Sequence, residues 1–296
     1  MSDSFTRTAS GISNSRYFYS VDMILYCEGG YGDYNLNDIL RDKYCDNSND
    51  ILFWEKVFST FKPNIKVKIK SIGSNTVVTA MRNHILDNNI PNNYVAMDRD
   101  YKHMDINLHS ISDIELITYG YSWENDIWNI QSALDVYQKL TGTQYNINIC
   151  NELEGLFKKF EQHLSKIVDL DINLATWYKE SAFQKNPKKC CARFVKQTGR
   201  PRPILKEFIK DGRLLKDRLN CRVSFNYSVS SEFSLDCQGH LIAEIYYRII
   251  VYLVKSKLTK FTIGKEIVYA MAIDSLFKNN NLIHTHYQEM LNKVQV

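Results

Sequence analysis

Hydrophobic and polar positions follow two different periods in the first 130 residues. Four short apolar or alternating runs are typical of strands: 23–27, 65–69, 94–97 and 114–118. Two stretches between them have the apolar spacing of helices: 51–61, which ends before Pro63, and 76–86, which follows Ser74. Strands that alternate with helices favour βαβ units, so the pattern predicts the α/β class with a parallel sheet.

The second half of the chain has a mainly helical pattern from about residue 131. Apolar stripes run through 130–140 and 153–168, and the most apolar stretch spans 241–254. That stretch is shorter than the ~20 residues that a membrane span needs, and it contains Glu244 and Arg248. We therefore expect a buried helix and no membrane association. The predicted division is a domain at 1–130 and a mostly helical domain at 131–296.

Carboxylates follow two of the predicted strands. Glu28 comes directly after the first strand, and Asp98 and Asp100 come after the third. Ligands of parallel sheets bind outside the carboxyl ends of the strands, and clustered carboxylates there suit Mg²⁺, which prefers oxygen ligands. The alternative is that these are ordinary acidic turn residues.

Positive charge is concentrated in one segment, residues 185–222. Thirteen Lys or Arg stand there against three Asp or Glu, although the whole chain of 296 residues has a net charge of only +4. Such a segment suits the binding of a polyanion, because Lys and Arg that neutralise phosphates release the bound counterions. The alternative is that the segment is a solvated helical face. The candidate nucleic-acid contacts are Lys188, Lys189, Arg193, Lys196, Arg200 and Arg202.

The cysteines and the first residues favour the cytoplasm. The seven Cys include no CxxC pair, and the first ten residues contain no apolar run that would indicate a secretory signal. Reduced thiols are typical of cytosolic proteins.

Four segments together resemble a known family. A strand followed by Glu28-Gly29, and a later strand followed by Asp98-Arg99-Asp100, resemble the Toprim domain. The segments 121–126 (YSWEND) and 238–240 (QGH), the second with Glu244, resemble motifs of an anti-phage branch of Toprim nucleases. This OLD-like branch includes the toxic effectors of PARIS defence systems. One departure is that Asp33 follows Glu28 by five residues, where the usual Toprim spacing is four.

The resemblance implies a Toprim-like parallel sheet flanked by helices, followed by a mainly α-helical C-terminal region. It implies Mg²⁺, with Mn²⁺ as the alternative ion, held by Asp98 and Asp100. Glu28 would complete the site or transfer a proton, and Glu124 is a candidate further ligand. His240 is open between a structural and a catalytic role.

The resemblance also implies an activity and partners. The expected protein is a metal-dependent endonuclease that cleaves RNA, specifically tRNA, once it is released from a partner ATPase. The apolar helix at 241–254, and not the resemblance, predicts self-association as a homodimer, with a surface for the ATPase as the alternative. The chain contains no GxxxxGK[ST] motif, so ATP dependence would come from the partner. The competing hypothesis is a non-catalytic interaction module that docks to an ATPase or to RNA.

Overall fold

The protein is described by a computed structural model over residues 8–30, 32, 34–44, 47–101, 112–178, 193–194, 199–202, 232–258, 260–278 and 280–295. The chain divides into two compact units. The sheet unit comprises Met1–Arg99, His109–Tyr119 and Asn280–Val296, and the helical unit comprises Asp100–Leu108 and Gly120–Asn279. This division differs from the predicted boundary at residue 130, because residues 120–130 belong to the helical unit and residues 280–296 belong to the sheet unit.

The sheet unit contains a parallel sheet. Its strands are β1 (Met23–Cys27), β2 (Val67–Ser71), β3 (Asn93–Met97) and β4 (Glu115–Ile117), in the order β2-β1-β3-β4. The helices of the unit, numbered along the whole chain, are α1 (Ala9–Ser13), α2 (Ser15–Tyr19), α3 (Leu36–Leu40), α4 (Asn49–Phe61), α5 (Asn75–Asp87) and α12 (Asn281–Asn292). The predicted α/β class, with a parallel sheet flanked by helices, is confirmed.

Burial explains the strand sequences. All residues of β1 and β3 are buried, as the continuous apolar runs at 23–27 and 94–97 predict for central strands. Strand β2 begins two residues later than predicted, because Met23 pairs with Val67 and Cys27 pairs with Ser71. The pairing of Cys27 with Ser71 extends β2 to Ser71. The sequence of β2 alone does not indicate this pairing.

The last helix packs on the sheet unit from the far end of the chain. The ring of Tyr287 lies edge to face against Phe53 and Trp54 of α4, with centroids 5.8 and 6.0 Å away. The Tyr94 hydroxyl donates to the carbonyl oxygen of Gln295 at 2.7 Å. The predicted domain at 131–296 therefore includes a helix that the structure assigns to the first unit.

The helical unit is built around one buried helix. Its elements are α6 (Trp123–Ile127), α7 (Ile130–Thr141), α8 (Ile147–Tyr178), α9 (Phe233–Asp236), α10 (Gly239–Lys257) and α11 (Lys265–Asp274), with the short antiparallel pair β5 (Arg193–Phe194) and β6 (Pro201–Arg202). Helix α10 packs against α6, α7 and α8, and the Tyr246 ring stacks between Trp128 and Phe157. The buried helix predicted at 241–254 is confirmed. Within the described residues, no helix is both long and apolar enough to cross a membrane.

Candidate functional site

Glu28 and Asp98 stand at the carboxyl ends of the two central strands. The backbone N–H of Glu28 donates to the carbonyl oxygen of Ala96 at 3.0 Å, so β1 and β3 end side by side. Glu28 is the first residue after β1 and Asp98 is the first after β3. Both are partly buried. The structure therefore brings these two predicted residues to one edge of the sheet.

Two loops close against each other beside Glu28. Gly29 and Gly73 exchange two backbone hydrogen bonds of 2.8 Å, and Gly29 has a φ of +116° that a residue with a side chain rarely adopts. A Cβ at Gly29 would lie 2.2 Å from the carboxyl carbon of Asp50, in the first turn of α4. The Asp50 carboxylate is thus a further acidic group next to the Glu28 loop.

Asn75 fixes the orientation of Glu28. This residue opens α5, and its side-chain amide donates to Oε2 of Glu28 at 3.3 Å. The sequence pattern marks neither Asn75 nor Asp50 as a site residue. Each of them stands one residue before a predicted helix. This position indicates a site residue only when the order of the strands in the sheet is already known.

Asp100 belongs to the helical unit. Its backbone N–H donates to the carbonyl oxygen of Tyr121 at 2.8 Å, and its φ of +50° lies in the left-handed region. Glu124, in α6, belongs to the same unit. The four predicted carboxylates therefore divide equally between the units, with Glu28 and Asp98 in one and Asp100 and Glu124 in the other. Asp33 lies outside the described residues.

Glu124 is a buried carboxylate with two side-chain partners. Its residue is 2% exposed, Nδ1 of His240 lies 2.6 Å from Oε1, and the Ser122 hydroxyl donates to Oε2 at 2.6 Å. Burial opposes ionisation of Glu124, but the His240 and Ser122 hydrogen bonds outweigh it and lower the pKa of the carboxyl below its ordinary value. The His240 ring itself is largely exposed, since 72% of its side chain is accessible.

The two short motifs of the sequence meet in the helical unit. The Asn125 amide donates to the carbonyl oxygens of Ser234 and Cys237, each at 2.8 Å. Gly239 faces the same segment so closely that a Cβ would lie 1.7 Å from the Ser122 hydroxyl oxygen. The sequence singles out 121–126 and 238–240 separately, and the structure joins them as one packed polar cluster.

Only a small part of the basic segment is described. Arg200 and Arg202 are exposed, and β6, which contains Arg202, pairs with β5, which contains Arg193. Strand β6 packs against α8 and α10. Lys188, Lys189 and Lys196 lie outside the described residues. The nucleic-acid-binding role of the segment stays a prediction.

A metal site at this edge of the sheet would have few protein ligands. Among the described residues, no group of three or more His, Cys, Asp or Glu side chains is arranged to hold a metal ion. Mg²⁺ usually keeps several waters and needs only one or two carboxylates besides substrate phosphates. Glu28 and Asp98 supply two carboxylates at the adjacent ends of β1 and β3.

The sequence matches neither a protein-family model nor a curated protein. The coarse α/β architecture is established by the sheet and its helices. The specific Toprim fold stays a prediction from the four sequence segments.

Proposed function

We propose that this protein is a Mg²⁺-dependent endonuclease that hydrolyses phosphodiester bonds of RNA. The observation that carries the proposal is the placement of Glu28 and Asp98 at the adjacent carboxyl ends of the two central parallel strands. Open parallel sheets bind their ligands in that position. Glu28 and Asp98 would hold the ion, whereas a ligand role of Asp100 is implied only by the resemblance to Toprim domains.

The residues of the chain have separate roles in this proposal. Asn75 holds the Glu28 carboxylate in one orientation. Gly29 and Gly30, both with positive φ, let the chain turn sharply after Glu28. When bound, Mg²⁺ neutralises charge on the phosphate and lowers the pKa of a bound water. The substrate tRNA, the restraining ATPase partner and the anti-phage role rest on the resemblance to Toprim effectors. The active homodimer rests on the apolar helix at 241–254, and the cytoplasmic location rests on the cysteine pattern.

A cleavage assay with matched variants tests the proposal. Purified protein is incubated with labelled tRNA, other RNA and DNA, with Mg²⁺, Mn²⁺ or EDTA. We expect RNA cleavage that EDTA abolishes and that falls by about 10²-fold or more in Glu28→Gln and Asp98→Asn, the scale of losing a group that stabilises transition-state charge. Asp87→Asn is the control, because Asp87 is an exposed carboxylate at the opposite end of α5.

Two results would contradict the proposal. Wild-type activity in both variants would remove the strand-end carboxylates from the reaction. A folded wild-type protein that cleaves no nucleic acid with either ion, yet binds RNA or an ATPase, would establish the interaction module instead.

A further inference from the structure

The Asn75 amide that contacts Glu28 has a second partner in its own helix. Its nitrogen donates to Oε2 of Glu28 at 3.3 Å, and its Oδ1 accepts from the Thr79 hydroxyl at 3.2 Å. Asn75 is the first residue of α5 and Thr79 follows it by four residues, so the two side chains share a face of the helix. All three residues belong to the sheet unit, and they form a chain of hydrogen bonds from α5 to the carboxylate that follows β1.

Thr79 differs from other threonines of the described helices in the acceptor that it uses. Thr60, Thr141 and Thr285 each donate to the backbone carbonyl oxygen of the residue four positions earlier, at 2.8, 2.8 and 2.9 Å. This is a common local bond of a threonine in a helix. Thr79 donates instead to the side chain of the residue four positions earlier. Its hydroxyl therefore holds the Asn75 amide rather than the helix backbone.

The orientation of the amide decides which of its atoms faces Glu28. An amide has an oxygen that accepts and a nitrogen that donates. While Thr79 donates to Oδ1, the nitrogen faces Oε2 of Glu28. If the amide were turned over, two acceptors, Oδ1 of Asn75 and Oε2 of Glu28, would face each other. The Thr79 hydroxyl thus favours the orientation in which the Glu28 carboxylate accepts, and an accepting carboxylate oxygen is what a divalent cation binds.

We propose that Glu28 is a ligand of the ion rather than the group that transfers a proton, and that Thr79 is a positioning residue that acts on Glu28 through Asn75. The inference deepens the proposed function and rests on it, because it assigns roles within the same site. Thr79 touches neither the ion nor the RNA in this proposal. Loss of its hydroxyl lets the Asn75 amide turn over and so removes a donor from the Glu28 carboxylate.

Mn²⁺ binding measures the positioning separately from cleavage. Mn²⁺ is titrated into the intact chain and followed by electron paramagnetic resonance, with Glu28→Gln as the reference for loss of the ligand. We expect Asn75→Ala to bind Mn²⁺ about tenfold more weakly than wild type, the scale of one hydrogen bond to a charged group. Thr79→Val should bind it about threefold more weakly, the scale of a bond between neutral groups. Thr79→Ser keeps the hydroxyl and should restore the wild-type affinity.

A double variant tests whether Thr79 acts through Asn75. In the chain that carries both Asn75→Ala and Thr79→Val, we expect the affinity of Asn75→Ala alone, because the hydroxyl then has no amide to orient. Cleavage adds an independent measurement. Excess Mn²⁺ should restore kcat in both single variants but not in Glu28→Gln, and the KM for RNA should stay at the wild-type value in both single variants.

Thr60 gives the matched control in the same unit. Thr60→Val removes a hydroxyl bond of the same sequence separation from α4, and we expect wild-type Mn²⁺ affinity in that variant. Urea unfolding in EDTA measures general loosening, and the free energies of unfolding of Thr79→Val and Thr60→Val should be similar. If Thr79→Val does not fold, Thr79→Ala takes its place with the same expected loss of affinity.

Three outcomes would overturn the positioning role and leave the nuclease standing. The first is wild-type affinity in Asn75→Ala and in the Thr79 variant, together with loss of affinity in Glu28→Gln. The second is a double variant in which the two losses add, since Thr79 would then not act through Asn75. The third is equal weakening by Thr60→Val, since the effect would then be general loosening of the unit.

The remaining outcomes concern Glu28 and the nuclease itself. Wild-type affinity with lost kcat in Glu28→Gln would make Glu28 the proton carrier and overturn its assignment as a ligand. A protein that shows the expected affinities but cleaves no RNA would support the ion site and end the proposed nuclease. A wild type that binds no Mn²⁺ would overturn the ligand assignment, and absence of cleavage in the same protein would end the nuclease as well.

Discussion

Gly239 occupies a position with no space for a side chain. A Cβ there would lie 1.7 Å from the Ser122 hydroxyl oxygen and 2.8 Å from Oε2 of Glu124. Because glycine has no side chain, α10 can begin in direct contact with Ser122 and Glu124. Gly155, inside α8, has the opposite environment, because a Cβ there would meet no atom within 4 Å.

These two glycines give a paired prediction at the scale of one methyl group. Gly239→Ala should lower the free energy of unfolding by about 1–3 kcal/mol, the usual cost of overpacking. Gly155→Ala should raise it by about 0.5–1 kcal/mol, because alanine favours a helix and meets no neighbour. Urea unfolding of the intact chain measures both, and wild-type stability in Gly239→Ala would contradict the close contact between the two motifs.

The site shows which residue-scale features the sequence can predict. A carboxylate that follows an apolar run is a local pattern, so Glu28 and Asp98 are identified before any fold is known. Asp50 reaches the same loop from a helix that starts about twenty residues later, and nothing near it in sequence marks that contact. The alternation at 65–69 likewise predicts an exposed face for the lysines of β2, yet Lys70 is buried and its ammonium lies 4.8 Å from the ring centroid of Tyr19.

At the scale of elements, one carboxylate joins α10 to α11. Glu244 is 2% exposed and contacts both Arg248, one turn along α10, and Lys265, the first residue of α11. Helical spacing predicts the first partner, since residues four apart lie on one face. The second partner comes from another helix, so the sequence pattern of α10 does not contain it.

Removing both cations should cost more than the sum of the single losses. We expect Arg248→Met or Lys265→Met alone to cost about 1–2 kcal/mol, because Glu244 keeps one charged partner. The double variant should cost about 3–5 kcal/mol, since it leaves a buried carboxylate without a cation. In a Glu244→Gln background, the same double change should cost much less, and additive costs in the native background would contradict the shared role of Glu244. Urea unfolding measures all of these differences.

At the scale of the whole molecule, the chain returns to its first unit at the end. Helix α12 follows more than 150 residues of the other unit, yet Tyr287 is fully buried against the rings of α4. Hydrophobic periodicity is a local signal, so it does not indicate the unit on which such a helix packs. The boundary predicted at residue 130 assigns this helix to the second domain. The predicted strands and the helices predicted at 51–61, 76–86 and 130–140 agree with the structure to within two residues, whereas α8 extends well beyond the predicted 153–168 and α12 has no predicted counterpart.

Loss of the Tyr287 ring should weaken the sheet unit from this distant position. Tyr287→Ala removes a fully buried aromatic side chain, and we expect the free energy of unfolding to fall by about 3–5 kcal/mol. Leu282→Ala is the control on the same helix, because Leu282 is 67% exposed and its loss should change stability by no more than about 0.5 kcal/mol. Hydrogen exchange adds the location: protection in α4 and β1 should fall in Tyr287→Ala while that of α10 changes less. Loss of protection confined to α10 would place the contribution of the last helix in the other unit and contradict its assignment to the sheet unit.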